Sequence, residues 1–425
     1  DPSPTHLATG VSPSAHLSWS GGDPDPLDSV TYDVYLHAGA ELPSRHALST
    51  TGIQPSRPHS SQGVAPESAL AGSSPLGDLV WVQRTDMPTA RNPKVAQAAN
   101  GKIYAVGGYD GSDYLSTVEE YDPSTDSWTT RAAMPTPRTG FGLVAANGKL
   151  YAIGGYNGDR LATVEEYNPS TNSWTVRASM PTARSNLGAA AAVNGKVYCI
   201  GGNAQSGEVD TVEEYDPTTN SWMTKTNMPT ARAAMAVATA VNGKIYAVGG
   251  DNGSASKVEA YDPTTDAWAA CADMPTGRDA LGLAAGIDGR LYAVGGTTFP
   301  GGVPTAQDVV EVYDPATDAW ATETSLPRDR EYPGVVGTGG GKIYVIGGVR
   351  DRFSVHGGTQ RYRTVYEATV NPFHIVCADV TSTTCNPGPL LESTGYAWYV
   401  VSSDNHGASS QGDTWYFTTT TSANE

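Results

Sequence analysis

Residues 102–138 read KIYAVGGYDGSDYLSTVEEYDPSTDSWTTRAAMPTPR, and this stretch decides the fold. The alternating apolar residues of KIYAV predict a short strand. The pair Gly107-Gly108 ends it, where unusual dihedrals and close backbone approach are needed. VEEY predicts a second strand, Asp122-Pro123 a turn, and Trp128 the opening of another strand. The Ala/Gly-rich run that follows, GFGLVAA at 140–146, suits a strand in a crowded centre that admits only small side chains. Each unit is therefore expected to hold four antiparallel strands. From the inside outward they are the Ala/Gly run, the Gly-Gly strand, VEEY and the Trp strand.

The unit recurs. Gly-Gly pairs fall at Gly107, Gly154, Gly201, Gly249, Gly295 and Gly347, each after a run such as KLYAIGG or KVYCIGG. A variable loop, a copy of VEEYDPSTDSW and MPTxR follow in turn. The double glycine, the Tyr-Asp-Pro and the spaced Trp make these units resemble kelch repeats. That resemblance covers residues 79–372 and implies blades of a β-propeller. Six pairs imply six blades. The first Trp strand, from Trp81, has no Gly-Gly strand before it, and TVYEATV at 364–370 has no Trp strand after it. One blade is thus split between the two ends of the ring, and the Trp81 strand should close it.

The flanks read as two halves of one domain. HLSWSGGDPDPLDSVTYDVYL gives strands around an acidic turn, and GYAWYVVSSDNHG with TWYFTT gives more. Together they resemble a fibronectin type III-like or immunoglobulin-like sandwich, and neither half alone has enough strands for one. The expected fold class is all-β: a six-bladed propeller plus a discontinuous β-sandwich. Residues 1–53 and 374–425 make the sandwich, 54–78 a Pro/Ser/Gly-rich linker, and 79–372 the propeller. Cys377 and Cys385 are close enough in sequence for a disulfide, against the alternative of two buried thiols; Cys199 sits in an apolar strand. A start at Asp1 is read as a mature product after loss of a leader. These readings place the protein outside the cell or on its surface.

The net charge is −18, which argues against nucleic acid and anionic lipid as partners, and no window of the sequence is apolar enough to span a bilayer. In a four-stranded blade the loops between the second and third strands share a face with the blade-to-blade crossovers. That variable face should carry the crossover arginines Arg91, Arg138, Arg184, Arg232, Arg278 and Arg330. They resemble the arginines by which a kelch adaptor captures acidic peptides, and as a ring would take a carboxylate or acidic glycan. The competing reading pairs them with the VEE glutamates such as Glu119 and Glu165. The loop VRDRFSVHGGTQRYR adds Arg350, Arg352, Phe353, His356 and Arg361, cations and an aromatic suited either to a binding patch or to a solvated loop. Asp23, Asp25 and Asp28 form either a structural Ca²⁺ site or a solvated acidic turn.

Enzyme readings have less behind them. The kelch resemblance extends to galactose-oxidase-like copper enzymes, which need two histidines, but the ring holds only His356. HExxH and CxxC are absent. The expectation is a non-enzymatic binding or scaffold protein without a cofactor, unless it be structural Ca²⁺. It would take a protein or glycan ligand on the variable face and self-associate through the sandwich into an adhesion subunit or fibre. The alternative is a carbohydrate-active or oxidising kelch enzyme.

Overall fold

Side chains of VEEY and the Gly-Gly strand can be buried only if another sheet covers them, and the fold supplies six such sheets. A computed structural model describes residues 79–350 other than 252 and 254, and 360–370, with the backbone of strands within 8–38 and 374–419. Six four-stranded antiparallel sheets are the blades of one propeller. Their innermost strands are Lys94–Gln97, Gly142–Ala146, Gly188–Ala191, Ala236–Thr239, Gly282–Ala285 and Gly334–Thr338. Small residues dominate these strands because six converge on one axis. A Cβ on Gly188 would lie 2.1 Å from Val237 of the next blade. The second strands, Ile103–Val106 and its equivalents, are buried along their length.

Blades are fastened to one another by the aromatic residues. The tyrosine of one blade's second strand packs on the third-strand tyrosine of the next, as Tyr104 on Tyr167 at 5.6 Å and Tyr344 on Tyr121 at 5.8 Å. Each Trp indole N–H donates to a carbonyl in the crossover that leaves the preceding blade, such as Trp174 to Ala132 at 2.9 Å. Trp81 does the same to Thr324 at 2.9 Å, across the whole length of the ring. The strand after it, Val82–Arg84, pairs with Val365–Thr369 as the outermost strand of the sixth blade. The ring closes by the split blade that the sequence predicts.

The two chain ends form a second compact unit, residues 1–77 with 371–425. Its larger sheet runs in the order Ala8–Val11, Trp415–Thr419, Gly395–Asp404, Val30–Ala38, His374–Val380, with Ser409–Gln411 also paired to Gly395–Asp404. A two-stranded sheet joins Leu17–Ser18 to Thr384–Cys385. The two N-terminal strands flanking the acidic turn therefore do not pair with each other; each pairs with a segment from the far end of the chain. Cys377 and Cys385 lie on strands of different sheets, and their side chains are outside the described residues. So are Asp23, Asp25, Asp28 and the linker 54–78. No helix among the described residues is long and apolar enough to cross a membrane.

Candidate functional site

The crossover arginines were expected on an open face, but all six are fully buried. Arg138, Arg184, Arg232 and Arg278 reach Glu165, Glu213, Glu259 and Glu311 at 2.5, 2.6, 2.8 and 2.7 Å, and Arg91 pairs with Glu119. Each lies across the double-glycine turn of the blade it introduces. Arg184 Nη1, for example, donates to the Gly201 and Thr211 carbonyls at 2.8 Å each. The Thr of MPTxR grips the same carboxylate, as Thr182 Oγ1 does Glu213 at 2.8 Å. Burial lowers the guanidinium pKa of Arg138 and Arg330 to about 10, which leaves both charged near neutral pH. In the sixth blade Tyr366 stands where the other blades carry the paired glutamate, and Arg330 lies over the Tyr362 and Tyr366 rings at 4.8 Å each. The arginines are thus internal braces of the blades. The reason is steric and electrostatic: the crossover runs over the blade, and a carboxylate waits beneath it.

The open surface of the same face is built differently. A cavity of about 350 Å³ lies where blades six, one and two meet. Aromatic rings from two variable loops form its wall. Tyr109 and Tyr114 pack with their rings tilted by 37° and centroids 5.4 Å apart, and Tyr114 meets Tyr156 edge-on at 5.7 Å. The Arg361 guanidinium sits 5.0 Å over the Tyr109 ring. Lys94 and Asn186 line the cavity from the axis side. The volume falls in the range of small-ligand sites, and aromatic rings with a stacked guanidinium are a common recognition surface.

Of the residues expected in the long loop, Arg361 joins this cavity. Arg350 is exposed and pairs with Asp329 at 3.2 Å. Arg352, Phe353 and His356 lie outside the described residues. Tyr109, Tyr114, Tyr156 and Lys94 were not singled out by the sequence reading; the tyrosines belong to the variable loops of two neighbouring blades, and only ring closure brings Arg361 of the sixth blade beside them. Among the described residues no group of three or more His, Cys, Asp or Glu could hold a metal ion.

The kelch motif matches residues 90–135, 137–181, 185–229, 232–275 and 283–327. A solved structure, "Structure of YjhT", aligns with a TM-score of 0.54 at 19% identity, over 67% of this chain and 96% of that one. At that identity it speaks for the fold alone. No curated protein matches the chain. The matched repeats cover more than half of the residues, and the chain belongs to the kelch repeat family.

Proposed function

We propose that this is an extracellular, non-enzymatic binding protein that takes a protein or glycan ligand at the tyrosine-lined cavity of its propeller. A kelch propeller is suited to a protein-binding or scaffold role. The observation that carries the proposal is the cluster of Tyr109, Tyr114, Tyr156 and Arg361 around one concave surface. These side chains offer flat apolar area with polar tips and lose little rotamer freedom on binding. The lining offers tyrosine hydroxyls and two cations, Lys94 and Arg361, as hydrogen-bond and charge partners for a bound ligand. The unit made by the chain ends is a fibronectin type III-like sandwich in this reading, and its six-stranded sheet is the surface through which copies associate as an adhesion or fibre subunit.

The test is a screen of the intact chain against peptide and glycan arrays, with a Tyr109→Ala/Tyr156→Ala variant beside it. Binding in the parent should fall by ~10-fold or more in the variant, the usual effect of losing aromatic anchors. Hits that the variant retains at full strength would place recognition elsewhere.

A further inference from the structure

The cavity lies where the first blade is one residue short. In the other five blades the buried arginine is followed by three residues before the innermost strand: Thr139-Gly140-Phe141 in the second blade, Glu331-Tyr332-Pro333 in the sixth. The middle residue of each triplet is left-handed, with φ of 58, 50, 52, 52 and 52° at Gly140, Asn186, Ala234, Ala280 and Tyr332. These five link head to tail around the axis. Asn186 N–H donates to Gly140 O at 2.6 Å, Ala234 to Asn186 at 3.0 Å, Ala280 to Ala234 at 2.9 Å and Tyr332 to Ala280 at 2.7 Å. The first blade reads Arg91-Asn92-Pro93-Lys94, and the left-handed residue is missing. In its place the Asn92 side-chain oxygen accepts the Tyr109 N–H at 2.8 Å, a role that the Thr139 backbone carbonyl fills toward Tyr156 at 2.9 Å in the second blade. The belt therefore runs through five blades, and both of its end residues, Gly140 and Tyr332, line the cavity.

A second departure falls at the same spot. The first residue of the innermost strand is Gly142, Gly188, Ala236, Gly282 or Gly334 in the other blades and Lys94 in this one. Lys94 pairs with Val106 in the register in which Gly142 pairs with Ile153. It lines both the cavity and the central channel, and every other residue lining that channel is apolar, glycine or proline. Among the described residues its ammonium makes no ion pair or hydrogen bond, and burial lowers its pKa.. In a chain of net charge −18, this cavity is lined by two cations, Lys94 and Arg361, and by no described carboxylate.

We infer that the one-residue gap in the first blade opens a carboxylate subsite at the mouth of the propeller channel, with Lys94 as its charge partner and Arg361 and the tyrosine wall opposite. The inference rests on the cavity being a binding site and adds the chemistry of what it takes. A partly desolvated, unpaired ammonium gains most from a ligand that brings the missing anion, because the cost of its burial is already met by the fold. The carboxylate can come from an acidic side chain of a protein or from a small free acid.

Calorimetric titration of the intact chain distinguishes these. The probes are a tetraglutamate peptide, its tetraglutamine counterpart and free glutarate. Tetraglutamate should bind, more weakly as salt rises, and the glutamine peptide should bind ~10-fold or more weaker, as expected for loss of a charge partner. Lys94→Met should cost a similar factor for tetraglutamate. Inserting one glycine between Asn92 and Pro93 should restore the belt residue, fill the gap and remove binding; an unchanged thermal midpoint in both variants guards against unfolding. Glutarate binding as well as the peptide identifies a free acid as sufficient, while peptide binding alone identifies a protein source. Equal binding of the glutamine peptide, or full binding by Lys94→Met, overturns the carboxylate subsite but leaves the face as a binding surface. Failure of both carboxylate probes to bind overturns it too, and array hits lost in the tyrosine variant would then show that the face itself still functions.

Discussion

Arg138 and Glu165 show at the scale of one residue why the repeat is written as it is. The guanidinium meets the carboxylate at 2.5 Å and the Gly154 carbonyl at 3.2 Å, with both side chains shut off from water. Such a pair gains little over an apolar pair, yet leaving one partner alone is costly, since a buried charge then has nothing to neutralise it. Glu165→Gln is expected to destabilise the propeller by about 3 kcal/mol, measured by urea unfolding. A loss under about 1 kcal/mol would mean that the carbonyl bonds alone satisfy Arg138. For the same reason, reversing the charge at Arg184 and Arg278 together should prevent folding, and should not produce a folded protein lacking a surface function. The second glycine of each pair is as tightly specified. Gly108 has φ +102°, and a Cβ there would lie 2.4 Å from the Asn92 carbonyl oxygen.

At the scale of the element, the Trp strand is the part that makes one blade hold the next. Its indole donates to the preceding crossover, and the turn before it supplies an Asp or Asn whose oxygen accepts both the Tyr hydroxyl of the same blade and a backbone N–H of that crossover. Asn172 does this for Tyr167 and Ala132, each at 2.8 Å. Residues 79–87 contribute that element to the sixth blade, through Trp81 and the pairing of Val82–Arg84 with Val365–Thr369. Deleting 79–87 should leave the sixth sheet with an unpaired edge and abolish the cooperative thermal transition followed by circular dichroism. A single transition at the parent temperature would show that the ring does not depend on this closure.

At the scale of the whole molecule, Glu367 is one carboxylate that ties closure of the ring to pH. Burial pushes its carboxyl upward, but hydrogen bonds from Arg84, Lys342 and Tyr344 outweigh that and bring it from 4.5 to about 2. Arg84 belongs to the strand that closes the ring, with Nη2 2.7 Å from Glu367 Oε1. A carboxylate lowered in the folded state stabilises it fully above its unfolded value of 4.5, and this contribution fades as pH falls through about 2. The contribution is about 2 kcal/mol once solvent around the partly exposed Arg84 is allowed for. Glu367→Gln should therefore lower stability near neutral pH and flatten its dependence between pH 4.5 and 2 in acid titrations of urea unfolding. An unchanged slope in that window would assign acid sensitivity to other carboxylates.

The sequence by itself determined the blade. Its four strands, their inner-to-outer order, the six copies and the split sixth blade are all written in local periodicity and in Gly-Gly, Asp-Pro and Trp at fixed offsets, because turn dihedrals and strand alternation act over a few residues. It also left two readings of the crossover arginines, and only packing chose between them: a consensus cation is exposed or buried according to what lies beneath the crossover, and Glu119, Glu165, Glu213, Glu259 and Glu311 lie there. The cavity was legible only in part. The missing residue between Arg91 and Lys94 can be seen by laying the repeats side by side, but its consequence cannot. Tyr109, Tyr156, Lys94 and Arg361 are up to 267 positions apart in the chain and come from three blades. They meet because a ring brings its last blade beside its first, and that closure is a property of the tertiary structure.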